Sequence, residues 1–330
     1  MRAARSLPVV LGVSVLLAVA LVLAHLLLGR SEIPARDVLR VLVGDAEQPA
    51  HRIIVLDYRL PRVLVGLGAG ALLAVSGVLV QAVVRNPLAE PATTGVGAGA
   101  ALAVVATLVV WPGHAWTYAA AFGGAVLTGA LLFVLGRGAL ALAGVLLGAV
   151  LAAGTSLLLV VDSAPIATVL RWLVGSLNAR TPSDWMQLWP WVVVLVPAAL
   201  LLASRLNVFA LGEVPAAGLG VRAAPLVATV LLVAVAAAAA AIAAAGAVAF
   251  VGLVAPHVAR LLVGGDHRVL IAVSAALGAL LLSLADLVAF SISVQVPGVA
   301  PDVSGVPVGA VTALIGAPVL VSLIRKESHP

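Results

Sequence analysis

Long apolar stretches of about 20 residues, each nearly free of charge, recur along the chain, separated by short polar or basic segments. They predict ten membrane-spanning helices: 7–28, 63–84, 94–111, 118–135, 139–161, 186–203, 225–249, 250–264, 269–289 and 306–324. The eighth is short and carries Pro256, His257 and Arg260. The seventh contains the run Ala236 to Ala241, whose small side chains let neighbouring helices approach closely. The first follows Arg2 and Arg5. Its apolar run exceeds the ~7–15 residues of a signal-peptide core and meets no clean small-x-small site before Arg30, so a retained helix is expected.

Two of the polar segments exceed a simple turn. In the stretch 29–60, Pro34 to Val43 reads as a short surface helix with Pro34 near its first position. In the stretch 204–224, Gly212, Pro215, Gly218 and Gly220 predict two short helices. No Pro-rich or Gly/Ser-rich linker interrupts the pattern, so residues 1–330 are read as one membrane domain.

Composition removes the soluble alternative. Of 330 residues, 63% are apolar and 9% charged, whereas a soluble domain carries about a quarter charged residues. No globular core of this size hides that much apolar surface. The net charge of +5 comes without a basic, aromatic-interleaved patch. It fits arginines in membrane loops better than nucleic-acid binding. With the N-terminus inside, Arg2, Arg5, Arg85, Arg137, Arg205, Arg222, Arg260, Arg268, Arg325 and Lys326 fall on one side. The bias is mild and favours both termini in the cytoplasm.

The residue chemistry narrows the function by exclusion. Lys326 is the only lysine, and a Walker A loop needs a lysine following glycine. If ATP drives this chain, a separate subunit must bind it. Cysteine is absent, and no two of the six histidines stand four apart, so no local metal site is expected. Ser76, Thr155, Ser156 and Ser283 lie in helices without a nearby histidine, and no catalytic or cofactor site is read. Asp286 is the one carboxylate well inside a helix; it reads as a capped or snorkelling helix-end group rather than a proton relay. His257 and Arg260, one turn apart, read as a packed polar contact. Gly66/Gly70 and Gly95/Gly99 do not complete a dinucleotide fingerprint, but their spacing brings helices together.

Six motifs occur in order. They are Arg59-Leu60-Pro61-Arg62; Arg85-Asn86-Pro87-Leu88-Ala89-Glu90-Pro91; Leu211-Gly212-Glu213 with Ala217-Gly218-Leu219-Gly220-Val221; Phe250 to Arg260; Asp266-His267-Arg268; and Pro307-Val308-Gly309 with Thr312 to Pro318. The series resembles the FecCD permeases, membrane subunits of ATP-driven importers of ferric siderophores, haem and cobalamin. The resemblance implies an all-α, ten-helix permease of the bacterial inner membrane, with two inverted repeats. It also implies two cytoplasmic ATPase subunits that bind ATP and Mg, a second permease copy or a related permease, and an external binding protein. A ferric siderophore is the expected cargo, with haem or cobalamin as alternatives and an ATP-independent transporter or channel as the competing class. By resemblance, Leu211, Gly212, Glu213, Ala217, Gly218 and Leu219 couple to the ATPase. Arg59 and Arg62 are expected to project into the outer aqueous layer and meet carboxylates of the binding protein. The sequence departs from the family at Phe290, where relatives carry an arginine, and in a stretched loop 291–305.

Overall fold

The structure, a computed structural model, describes residues 2–28, 33–45, 48–90, 95–111, 116–135, 140–161, 172–291 and 306–327. In chain order its helices are α1 (Arg2–Leu27), α2 (Ala35–Leu42), α3 (Pro49–Arg52), α4 (Leu60–Val84), α5 (Val96–Val110), α6 (Thr117–Leu135) and α7 (Leu140–Val161). There follow α8 (Pro182–Phe209), α9 (Glu213–Gly218), α10 (Ala223–Ala245), α11 (Val251–Val263), α12 (His267–Ser291) and α13 (Val308–Glu327). A π-helical segment, Ile53–Arg59, joins α3 to α4 without a break.

Each of the ten expected spans is occupied by a helix. Six have the length and apolarity to cross a bilayer, and the shorter apolar helices α5, α6, α11 and α13 fill the remaining positions. The bounds differ where polar groups intrude. The second span extends back through the π segment to Pro49, making one helix of 36 residues. The sixth begins at Pro182, where Thr181 and Asp184 form a reciprocal capping box, and carries on through Pro190 and Pro197 to Phe209. The seventh stops at Ala245 because Gly246 takes φ +77°.

The centre of the molecule is α4. Most of its residues are buried, and α1, α8, α10, α11 and α12 pack around it. Glycine makes that packing possible. A Cβ on Gly70 would overlap the Gly278 carbonyl of α12, and one on Gly77 would overlap the Gly252 carbonyl of α11. Gly95 meets the α7 backbone at Gly144 and Gly148, and Gly99 meets Thr128 of α6. The expected close approaches at Gly70, Gly95 and Gly99 are therefore present. The alanine run of α10 is buried along Ala237 to Ala245.

A repeated order of helix contacts, invisible in the sequence, is legible in the packing. In the first half α4 is followed by α5, which packs on α6 and α7; in the second, α10 is followed by α11, which packs on α12 and α13. The halves exchange contacts reciprocally, α4 with α11 and α12, and α10 with α5 and α6. Gly95 and Phe250, at matching places, both hold left-handed backbone at the start of α5 and α11.

Candidate functional site

The two ends of α4 carry the polar chemistry of the membrane domain. One holds Arg59 and Arg62; the other holds Arg85 and, packed beside it, the 210–222 segment.

At the Arg62 end, the guanidinium of Arg62 donates from Nε to Asp286 Oδ2 at 2.7 Å and from Nη2 to Oδ1 at 2.8 Å. His25 Nε2 lies 3.3 Å from the same Oδ2. The Phe290 ring stacks on the Arg62 guanidinium at 4.4 Å. The Asp286 side chain is 1% exposed and that of Arg62 is 11%. The forked pair thus ties α4 to α12, and His25 brings in the end of α1. A carboxylate in hydrocarbon needs such partners. Asp286 is therefore neither a helix cap nor a snorkelling group, and the expectation is corrected: it is the anion of a buried cluster.

Arg59 also turns inward. Its Nη1 donates to the Leu26 carbonyl at 2.6 Å, and the residue is buried. Leu26 lies in the last turn of α1, whose carbonyls lack intrahelical donors and carry the negative end of the helix dipole. The projection of both guanidinium groups into water is thus not what the structure shows. Each is drawn to a stronger acceptor inside the fold. A small core of Leu26, Ile33, Val38, Val41 and Val55 closes over this end. The stretched loop 292–305 lies outside the described residues.

At the opposite end, α8 finishes at Phe209, and Gly212 takes φ +112° before α9 begins. One short helix, Glu213–Gly218, forms here instead of the expected two, because residues 204–209 complete the last turns of α8. Ala216 anchors α9, fully buried. Around it Leu211, Val214 and Leu219 stand 64%, 84% and 64% exposed. Glu213, Ala217 and Gly218 are exposed as well. The residues expected to couple to an ATPase therefore form one open, largely apolar surface with an acidic residue at its helix start.

The same end contains a polar network that sequence reasoning found only in part. Arg260 Nη2 donates to Gln81 Oε1 at 2.6 Å, and Gln81 Nε2 donates to the Gly252 carbonyl at 3.2 Å. The expected polar contact of Arg260 is thus present, with α4 as its partner. Glu90, also buried, accepts the backbone N–H groups of Phe250 and Gly252 at the start of α11. That helix end offers unpaired donors and a positive dipole, and Glu90 answers both. Its sign in the sequence is an acidic residue in the loop that follows an apolar helix. Asp266 accepts from Asn207 Nδ2 at 2.6 Å. This bond, with the Arg268 backbone N–H, holds its carboxyl below the usual range.

The FecCD transport family profile matches residues 16–326. The chain belongs to the FecCD transport family. This permease is 38% identical to the ferric enterobactin permease FepD of Escherichia coli (strain K12), over 96% of its own length and 95% of FepD. It is 37% identical to the Fe(3+) dicitrate permease FecD of the same organism, over 83% of this chain and 86% of that one. The Fe(3+)-citrate permease YfmE of Bacillus subtilis (strain 168) is 35% identical, over 85% and 84%. Among solved structures, a candidate metal-chelate type ABC transporter in an inward-facing conformation aligns with a TM-score of 0.82 at 29% identity. That alignment covers 97% of this chain and 99% of the other. The FecCD permease is accordingly a multi-pass subunit of the bacterial inner membrane that carries no catalytic centre; ATP hydrolysis belongs to a separate subunit.

Proposed function

We propose that this FecCD permease forms the membrane path for a ferric siderophore in a binding-protein-dependent, ATP-driven importer. The whole-length likeness to permeases of ferric chelates carries the choice of cargo. Residues 1–330 act as one permease domain with both termini in the cytoplasm. A second copy or a related permease completes the path, two ATPase subunits bind ATP and Mg2+ on the cytoplasmic side, and this chain holds no cofactor.

The ATPase docks on the α9 surface. Leu211 and Leu219 supply apolar contact, Glu213 a charged one, and Gly212, Ala217 and Gly218 the close backbone. The binding protein docks at the Arg62 end. There Arg59 and Arg62 hold the ends of α1, α4 and α12 in register, so that their contribution to docking is the shape of the surface.

Gly218→Pro tests the coupling role. Its Cβ would meet nothing within 4 Å, so the variant should fold and insert. Proline removes the Gly218 N–H and forces Ala217 out of helical backbone. In the reconstituted importer, ATP hydrolysis should persist while siderophore uptake falls at least about tenfold, a loss of about 1.4 kcal/mol in coupling. Uptake at the normal rate would place the coupling contact outside α9.

A further inference from the structure

Arg260 is more than a structural contact of α4. Its Nη2 is held by Gln81, but its Nη1 is buried and has no partner among the described residues. A buried guanidinium nitrogen without an acceptor is costly, and an anion brought beside Arg260 would lower that cost. Beside it lies a cavity of about 350 Å³ at the end of α4. Gln81, Arg85, Asn86, Arg260 and His267 line its polar side, with no carboxylate among the described lining residues. Arg85 is fixed in left-handed backbone (φ 54°, ψ 35°), with its guanidinium 4.7 Å from the Phe209 ring. The nearest carboxylate in sequence, Asp266, spends its Oδ1 on Asn207 and on the Arg268 backbone N–H. His267 gives Nδ1 to Asn207 Oδ1, 2.8 Å away. Arg85 donates from Nη2 to the Phe209 carbonyl at 3.5 Å, and it lines the cavity together with Arg260, with no carboxylate among the described lining residues.

The cavity's position selects the kind of anion. Leu206 and Ala210 form its apolar wall, and Ala210 directly precedes the exposed surface of Leu211, Val214 and Leu219. The cavity wall thus leads along the chain directly into the α9 segment. A lipid phosphate approaches from the rim of a membrane protein, whereas α4 is ringed by five helices. We propose that this cavity is a second docking point for the ATPase subunit, which inserts an acidic side chain between Arg85 and Arg260. The proposal rests on the reading that α9 faces an ATPase. A carboxylate seated between Arg85 and Arg260 would form charge-assisted hydrogen bonds with them and make the contact directional, which the apolar α9 surface alone is not.

The test is the affinity of the ATPase subunit for the detergent-purified permease, measured at low and high salt. Arg260→Gln should weaken binding about tenfold at low salt and flatten the salt dependence, because the lost contact is ionic. Arg260→Lys, which keeps the charge, should recover most of the affinity. Arg85→Gln should show the same salt signature, and it decides the matter if Arg260→Gln lowers the unfolding temperature. Unchanged affinity and salt dependence in the glutamine variants, with Val214→Asp still weakening association, would overturn the cavity's role and leave the α9 surface intact. A loss that appears only in vesicles containing phosphatidylglycerol, and not in neutral detergent, would assign the cavity to lipid and overturn it too. Failure of the wild-type permease to bind the ATPase at any salt would instead overturn the underlying reading.

Discussion

Asp286→Ala is expected to destabilise the protein by about 3–5 kcal/mol, the range for removing one partner of a buried ion pair. The substitution leaves the Arg62 guanidinium among apolar helix ends, with Phe290 stacked on it and no anion to receive its two N–H donors. The cost is that stranded charge more than the lost attraction. Replacing both partners, Arg62→Met with Asp286→Leu, should therefore recover most of the loss. The thermal unfolding midpoint of the detergent-solubilised protein measures both. Equal destabilisation in the single and double variants would mean that the pair supplies net stability, and that the register of α1, α4 and α12 depends on it.

Gly77→Leu is expected to separate α4 from α11 and abolish folded protein. Even one added carbon at this site meets the Gly252 carbonyl, backbone that cannot swing aside as a side chain can. Gly77→Ala alone should cost about 1–3 kcal/mol, the usual range for an overpacked core. The same shift would stretch the Gln81 Nε2 bond to the Gly252 carbonyl, now 3.2 Å, and so disturb Arg260. Gly12→Ala serves as control. Gly12 lies in α1, its Cβ would meet nothing within 4 Å, and alanine is the better helix former by about 1 kcal/mol. Yield of monodisperse protein and unfolding temperature read the difference. A Gly77→Leu variant as stable as Gly12→Ala would show that α4 and α11 do not need this approach.

The ten spans were legible because each is a long apolar run and lipid permits only a helix there. The short helix of the 204–224 stretch was legible from Gly212 and Gly220, both of which take positive φ. Its count was misread because α8 carries on to Phe209 under apolar packing that local punctuation does not reveal. Arg59 and Arg62 show why charge roles are hard to read from one strand of sequence. The acceptors that turn them inward are Leu26, at the end of α1, and Asp286, more than two hundred positions away. Asp286 reads in the sequence as a helix-end group because its partner lies on another helix, and only the antiparallel packing of α4 and α12 names it. The repeated order of contacts is likewise carried by packing and backbone, since Gly95 and Phe250 hold the same conformation with unlike side chains.

Uptake of radiolabelled ferric siderophore into proteoliposomes tests the central claim most directly. The vesicles would hold this permease with its ATPase subunits, with the loaded binding protein on one side and ATP on the other. Accumulation should require all three and should cease when ATP is replaced by a non-hydrolysable analogue. Accumulation in vesicles holding this chain alone, or uptake indifferent to ATP, would contradict the account and make the protein an ATP-independent transporter.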